Sequence, residues 1–531
     1  MGIGKNRGIA PQKLAILPGV CDFAYTVRSP SAGTPRNAPP KTWRMRHSAE
    51  HRPIDPMNAI PRRLKLERGT IYKHARYRVG LLKPSPYYLS MSSLGFQVIY
   101  RLFNAAEDFC AQRAFLPDEP EKARTILCYE SKTPLANMDI IAVSIAYELE
   151  IPDLIRCFKC IGLSPFASER DINAPLVLMG GPLSFSNMET LREMADCMIL
   201  GEAEGLIEQF CEVYRRHPHK KLFLDAAPTA LPEVWIPATG AKIPPCRFVD
   251  ASLLPATSQI ITPETEFGDM FMIESERGCH RRCKFCVMRR EETAGMRLVS
   301  ADTVCALTPN DVKKVGLVGA AVSDHPQLLD MVGRLVEAGH TVSLSSLRTD
   351  RISEPLLDLL SYSGLKTLTI AADGPSEALR KMLTKDVTET QLLHAANIAR
   401  KRNMAVKLYV MIGLPGETDE DIDEFARFVT EGFFGLRLSL GVSPFVSKRH
   451  TPLDNLPFAG IRVVENRLKR LTQKLRGKAE IRSVSAKWAF IEHAFAQGGP
   501  EMARIAVEAV ENGGKFSDWK RAMTKAGKTV E

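Results

Sequence analysis

One short segment constrains this chain more than any other. Residues 278–286 read Gly-Cys-His-Arg-Arg-Cys-Lys-Phe-Cys, which spaces three thiols as CxxxCxxC. Thiolates bind zinc and iron–sulfur clusters, and a tight loop turns the three side chains toward one place. A cluster of four irons takes four ligands, so this loop would leave one iron without a protein ligand. The sequence therefore predicts a metal centre at Cys279, Cys283 and Cys286.

A structural zinc site is the alternative interpretation of the same thiols. It needs a fourth ligand, for which His280, Cys305 and Cys246 are candidates. Structural zinc sites usually pair two knuckles of two cysteines each, and no second knuckle follows this loop. The spacing therefore favours an iron–sulfur cluster.

Length and composition fit a chain of two or three domains. Its 531 residues suffice for a large core, and no apolar run approaches the ~20 residues needed to cross a bilayer. Twelve cysteines without a regular disulfide framework indicate a reducing compartment. We therefore expect a cytoplasmic protein without a membrane partner.

The positive charge lies at the start of the chain. The formal net charge is +10, yet residues 1–80 hold 16 Lys and Arg against 4 Asp and Glu, and residues 81–531 hold 55 against 57. We predict that residues 1–78 form a basic, Pro-rich extension exposed to solvent. Because the rest of the chain is neutral, nucleic acid is not the expected partner.

Alternating strand and helix patterns predict an α/β fold. Apolar runs at 79–82, 138–146, 175–179 and 197–200 predict strands of a parallel sheet, with helical patterns between or after them. We therefore expect a doubly wound, Rossmann-like domain over 79–216. A Pro-rich linker is predicted over 217–268.

A second α/β unit begins at the cysteine loop. Strand-like runs at 314–319, 341–345, 366–371, 406–412 and 436–442 alternate with helical patterns. Right-handed crossovers between parallel strands predict an incomplete barrel over 269–450, followed by a helical C-terminal region over 451–531. Parallel barrels place their chemistry at the carboxyl ends of the strands.

The cysteine loop resembles that of the radical S-adenosylmethionine (SAM) superfamily. The likeness lies in its spacing, in Phe285 before the last cysteine, and in the strand-like Phe271-Met272-Ile273 upstream. It implies a (β/α)6 partial TIM barrel and a 4Fe–4S cluster whose open iron chelates the amino and carboxylate groups of SAM. It further implies that one electron, from a donor such as flavodoxin or ferredoxin, releases a 5′-deoxyadenosyl radical.

The resemblance also implies SAM contacts near the strand ends. Phe285 is one of them. Gly319 and Ala320 stand where the superfamily usually has a Gly-Gly-Glu motif that contacts the methionine amino group, although the Glu is missing here. Ile412 precedes Gly-Leu-Pro-Gly-Glu-Thr, which resembles the segment that packs under the adenine. The end of that segment, at Thr418 or Asp419, also predicts a helix cap.

Three charged residues complete the implied SAM site. Asp373 would accept hydrogen bonds from the ribose hydroxyls. Arg348 or Arg380 would pair with the SAM carboxylate through a charge-assisted contact. A surface salt bridge is the alternative role for each arginine.

The first domain resembles the cobalamin-binding-type domain that precedes the radical SAM domain in one subfamily. The likeness lies in Gly-Gly-Pro at 180–182, Gly-Glu-Ala-Glu at 201–204 and Tyr-Glu-Leu at 147–149. The Asp-x-His-x-x-Gly loop that ligates cobalt from below is missing. The sequence leaves cobalamin open, and a bound cobalamin would lack a His nitrogen on its lower face.

These features favour a radical SAM enzyme that acts on an unidentified small molecule or peptide, with cobalamin-dependent methyl transfer as one form of the reaction. A methylthiotransferase-like enzyme acting on RNA or protein is the second hypothesis, although the helical tail does not resemble the RNA-binding domain of those enzymes. An iron–sulfur sensor or scaffold without SAM turnover is the third, because the Gly-Gly-Glu position is altered.

Overall fold

The computed structural model describes residues 56–288 and 295–530. Its first domain is an α/β unit around one twisted sheet. The strands are β1 (Tyr77–Lys83), β2 (Phe109–Phe115), β3 (Ile140–Ser144), β4 (Leu176–Gly180), β5 (Cys197–Ile199) and β6 (Val234–Trp235). They run in the order β2-β1-β3-β4-β5-β6, and every pair is parallel except β5 with β6. The order confirms the predicted doubly wound sheet.

Helices cover both faces of this sheet. They are α1 (Pro56–Leu66), α2 (Tyr87–Ser90), α3 (Leu94–Ala105), α4 (Ile151–Cys160), α5 (Leu206–Arg216) and α6 (Lys220–Ala230). Helices α3, α5 and α6 cover one face over a core rich in aromatic side chains, including Phe103, Phe210 and Phe223. Helix α4 covers the other face, where its apolar side packs on β3 and β4. The strands are therefore buried on both sides, as their continuous apolar runs indicate.

The second unit is an open barrel of parallel strands. Its elements are β7 (Met270–Glu274), β8 (Glu276–Arg277), β9 (Arg297–Leu298), α7 (Ala301–Leu307), β10 (Lys314–Val318), α8 (Leu328–Glu337), β11 (Thr341–Leu344), α9 (Glu354–Tyr362), β12 (Thr367–Asp373), α10 (Glu377–Met382), α11 (Glu389–Lys401), β13 (Ala405–Ile412), α12 (Asp419–Gly432) and β14 (Leu438–Pro444). The order is β7-β10-β11 and then β12-β13-β14, and a parallel bridge from Leu347 to Ile370 connects the two groups.

The C-terminal region divides between the two units. Its elements are α13 (Ile461–Lys474), β15 (Glu480–Ser483), α14 (Ala486–Gln497), α15 (Glu501–Glu511) and α16 (Phe516–Lys525). Strand β15 pairs in parallel with β14 and extends the barrel sheet beyond the six predicted strands. Helices α14 to α16 pack on the α4 face of the first domain, with Trp519 buried against Phe495. The region is thus a shared covering layer rather than a separate helical tail.

The structure also changes two predicted domain boundaries. The first domain begins before residue 79, because Glu67 is fully buried and forms an ion pair of 2.7 Å with Arg113 of β2. It also continues through α6 and β6, which lie inside the predicted linker over 217–268. The part of the predicted basic extension at 1–55 lies outside the described residues. Among the helices that the structure describes, none has the length and apolarity that a bilayer crossing requires.

Candidate functional site: the cysteine loop at the carboxyl edge of the barrel

The cysteine loop leaves the barrel at the carboxyl end of β7. Strands β8 and β9 pair antiparallel and form the base of the loop. Gly278 begins it with φ of 83°, a left-handed conformation that favours glycine. Cys279 and Cys283 are buried, and Cys286 is half-buried. The structure thus brings the three predicted ligands onto one loop at the edge where parallel barrels carry their chemistry.

The donor set fits an iron–sulfur cluster. Burial raises the pKa of Cys279 to about 11 and that of Cys286 to about 12, and it also raises the pKa of Cys283. Such thiols stay protonated at neutral pH until a metal replaces the proton. Within the described ranges, no three His, Cys, Asp or Glu side chains converge on a site for one ion. A four-iron cluster needs only one thiolate for each iron, and the loop offers three.

An arginine on the loop ties it to the neighbouring strand ends. Arg281 donates two hydrogen bonds to Asp324, at 2.9 and 2.5 Å, and a weaker one to Asp350 at 3.4 Å. Burial opposes ionisation of Asp324, but the hydrogen bonds and charge of Arg281 outweigh it and lower the pKa of Asp324. The loop is therefore anchored after β10 and β11 by charge-assisted contacts.

Asp373 ends β12 at this edge, as predicted, but it has a partner within the chain. Lys385 Nζ lies 2.5 Å from Asp373 Oδ2, where the Asp373 side chain is buried and that of Lys385 is 12% exposed. Burial opposes the charge on Lys385, while Asp373 and Cys283 favour it and raise the pKa of Lys385. Lys385 was not among the residues that the sequence pattern predicted for this site. Its position between two short helical patterns carried no signal, since only the fold brings it beside Cys283.

Arg348 and Arg380 have different surroundings. Arg348 lies at the predicted edge, where Nε donates to Asp350 at 2.9 Å and Nη2 donates to the Lys385 carbonyl at 3.0 Å. Arg380 is fully buried and donates to the carbonyls of Gly374, Pro375 and Val387. Burial lowers the pKa of Arg380. Arg380 therefore holds the turn around α10, and its contact with the SAM carboxylate stays a prediction.

Gly319 and Ala320 follow β10, and a buried acid fills the space beside them. A Cβ at Gly319 would lie 2.1 Å from Glu276 Oε1, which accepts a hydrogen bond from the Ala321 amide at 2.6 Å. Glu276 Oε2 is buried, and no hydrogen-bond partner for it lies among the described residues. Burial raises the pKa of Glu276 to about 8. A carboxyl group thus lies beside this turn, although the chain lacks the Glu of the Gly-Gly-Glu motif.

Apolar side chains lie next to the loop. Phe285 is half-buried and packs against a buried apolar group that includes Leu383 after α10, Met411 of β13 and Phe445 after β14. Ile412 is buried in the barrel core, and its carbonyl accepts a hydrogen bond from the Phe445 amide at 2.8 Å. These contacts place both residues at the predicted edge.

A carboxylate within the segment after β13 binds the backbone of that segment. Glu417 accepts hydrogen bonds from the amides of Gly413 at 2.9 Å and Leu414 at 3.3 Å, and Arg467 forms an ion pair with it. Thr418 is the N-cap of α12, and Asp421 completes a capping box. The predicted cap is confirmed.

The strand-end glycines of the first domain pack against the chain itself. A Cβ would lie 2.9 Å from the Ile199 carbonyl oxygen at Gly180, 2.6 Å from the Ile145 carbonyl oxygen at Gly181, and 2.2 Å from the Arg247 carbonyl oxygen at Gly201. Internal close approach therefore explains these glycines without a bound cobalamin.

Two family models match the chain. The model described as "Radical SAM proteins, N-terminal" matches residues 95–237, and "Radical SAM superfamily" matches residues 273–429. The second match begins in β7 and includes the cysteine loop and the ends of β10 to β13. The chain belongs to the radical SAM superfamily, whose members use a 4Fe–4S cluster and SAM.

Individual proteins are similar at low identity. An uncharacterized protein of Methanocaldococcus jannaschii is 29% identical over 61% of this chain and 70% of its own. The ribosomal protein uS12 methylthiotransferase of Chlamydia pneumoniae is 23% identical over 44% of this chain, and the match spans about half of that relative, 52%. The solved structure of the radical SAM methyltransferase TsrM from Kitasatospora setae, with cobalamin and a 4Fe–4S cluster bound, is 15% identical. Its TM-score is 0.47 over 74% of this chain and 75% of that one.

Proposed function

We propose that the protein holds a 4Fe–4S cluster on Cys279, Cys283 and Cys286 and cleaves SAM reductively. The observation that carries the proposal is the loop of three thiols, two of them buried and one half-buried, at the carboxyl edge of a barrel whose sequence matches the radical SAM model. When bound, the cluster supplies the single electron that breaks a carbon–sulfur bond of SAM and yields a 5′-deoxyadenosyl radical.

The chain's own residues would bind and shield the cofactor. Phe285 and the apolar group beside it would exclude water from the reacting atoms. Gly319 and Ala320 would let SAM approach the backbone closely, and Arg348 would pair with its carboxylate. Asp373, with Lys385 beside it, would accept a hydrogen bond from a ribose hydroxyl.

Further SAM contacts and partners follow from the same proposal. Ile412 would contribute to the adenine contact through the backbone that follows β13. A flavodoxin or ferredoxin would supply the electron, and the substrate is a small molecule or peptide. Cobalamin-dependent methyl transfer is the finer form of the proposal, and the glycines of the first domain add no support to it.

One anaerobic preparation of the full chain tests the proposal. The protein is reconstituted with iron, sulfide and cobalamin, reduced, and given SAM; iron, cobalamin and 5′-deoxyadenosine are then measured. We expect about four irons per chain and 5′-deoxyadenosine formation. Iron without 5′-deoxyadenosine would favour the sensor or scaffold hypothesis, and a chain without iron would refute both. Stoichiometric cobalamin would support the methyl-transfer form.

A methylthiotransferase-like reaction is the second candidate, because curated relatives from Chlamydia pneumoniae and Nitrosomonas eutropha carry names of that class. SAM with a labelled methyl group would be incubated with the reconstituted chain and total RNA or ribosomal protein. A labelled methylthio group on either polymer would favour this candidate over the first.

A further inference from the structure

The Gly-Glu-Ala-Glu segment after β5 lies at the base of the cysteine loop. This segment is one of the motifs that give the first domain its resemblance to a cobalamin-binding-type domain. The structure directs Glu202 and Glu204 toward Arg277 of β8 and Arg297 of β9. Those two arginines flank the loop that carries the three cysteines.

Two positive charges face each other at the base of the loop. Arg277 and Arg297 are directly paired across the antiparallel strands β8 and β9. Their side chains are only 13% and 12% exposed, so water screens their charges poorly. Like charges placed opposite one another destabilise a strand pair.

The first domain supplies most of the compensating charge. Glu202 accepts two hydrogen bonds from Arg297, one of them at 2.8 Å and the other at 2.5 Å, and it lies 3.5 Å from Arg277. Glu204 lies 2.8 Å from Arg277, which is also bonded by Glu274 of the barrel. Two of the three carboxylates therefore come from outside the barrel.

Backbone contacts fix the acidic segment in place. Glu202 also accepts a hydrogen bond from the Val249 amide at 2.8 Å, and Arg297 donates to the Val249 carbonyl at 2.6 Å. Arg247 donates to the carbonyls of Glu202 and Glu204. Contacts within the chain thus fix the backbone of the segment and the carboxylate of Glu202.

We propose that Glu202 and Glu204 are positioning residues that hold the two ends of the cysteine loop together, so that the first domain controls how firmly the barrel keeps its cluster. The proposal rests on the proposed function, because the group that the loop keeps is the 4Fe–4S cluster. Groups that orient metal ligands in this way typically change metal retention by about 10- to 100-fold when they are removed.

The test compares three full-length chains after anaerobic reconstitution: wild type, Glu202→Gln/Glu204→Gln, and Glu233→Gln. Glu233 is a matched control, because it pairs with Arg247 in the same domain but is 48% exposed. We expect the double variant to release iron to a ferrous chelator about tenfold faster than wild type, and Glu233→Gln to behave as wild type. Equal release rates in all three chains would overturn the proposal.

A second measurement separates local loosening from general unfolding. Alkylation of Cys279, Cys283 and Cys286 is followed by mass spectrometry in the cluster-free chains, with Cys305 on α7 as the internal reference. We expect faster alkylation of the three loop cysteines only. Acceleration at Cys305 as well would assign the effect to global instability and refute a positioning role. Wild type without iron would refute the proposed function, while the alkylation rates would still decide the positioning role.

Discussion

The carboxyl ends of the parallel strands carry buried polar groups in both sheets, but the partners of those groups differ between the two sheets. At the edge of the first domain, Lys83 lies 2.8 Å from Glu150. Glu148 lies 2.8 Å from Lys448, which follows β14 of the barrel and also binds Glu492 of α14 at 2.8 Å, and all these side chains are buried. At the barrel edge, Cys279 and Cys283 are buried, Cys286 is half-buried, and the buried Glu276 Oε2 atom has no hydrogen-bond partner among the described residues. The comparison indicates that one edge is closed by the protein itself and the other is built to receive a cofactor.

The largest expected effect comes from removing one cysteine at the barrel edge. Cys283→Ala removes one of the three thiolates, and we expect loss of nearly all bound iron and of 5′-deoxyadenosine formation. Iron content and charge-transfer absorption after reconstitution measure it. Cys305→Ala and Cys246→Ala are the controls and should retain the cluster, so a full iron content in Cys283→Ala would remove that residue from the ligand set.

The next largest effect comes from removing the buried cation at the edge of the first domain. Lys448→Met leaves Glu148 and Glu492 buried without their cation, which should lower the free energy of unfolding by about 3–5 kcal/mol. Urea denaturation measures it. Replacing all three residues together, as Met, Gln and Gln, should recover most of the loss. Lys122→Met, at an exposed pair with Glu119, is the matched control.

A smaller effect tests why the strand-end glycines are glycines. Gly201 has φ of 86° and no room for a Cβ, so Gly201→Ala should cost about 3 kcal/mol whether or not cobalamin is present. Gly162→Ala is the control, because Gly162 has φ of 69° but open space around it and should cost about 1 kcal/mol. Equal costs at both positions would contradict the packing explanation.

The smallest effect concerns the pH dependence of the barrel edge. Because the folded-state pKa of Glu276 is about 8, the folded protein holds a proton that the unfolded chain releases near its ordinary pKa. This acid therefore stabilises the fold below the unfolded pKa, and its contribution is lost as the pH rises toward 8. Between pH 6 and 8, the free energy of unfolding of the cluster-free wild type should fall by about 2 kcal/mol more than that of Glu276→Gln. Urea denaturation at each pH measures the free energy of unfolding. If it changed equally with pH in wild type and Glu276→Gln, Glu276 would have an ordinary pKa and the prediction would be wrong.

The sequence by itself determined the features that depend on neighbouring residues. The apolar runs predicted the buried strands β1, β3 and β4, and Thr418 or Asp419 predicted the cap at the start of α12, which the structure places at Thr418. The CxxxCxxC spacing specified the three-thiol loop, because a short loop can turn its own side chains inward. Periodicity, caps and close spacing act within a few residues, so they can be read along the chain.

Only the tertiary structure decided how distant charges and helices pair. It placed Arg380 on backbone carbonyls and Lys385 on Asp373, and it placed Glu202 on Arg297, which is 95 positions away in the chain. It also gave β15 to the barrel and α14 to α16 to the first domain. A charged side chain or an amphipathic helix has many possible partners of the same chemistry. Which partner it meets is fixed by the packing of the two units, and residue type alone does not encode that choice.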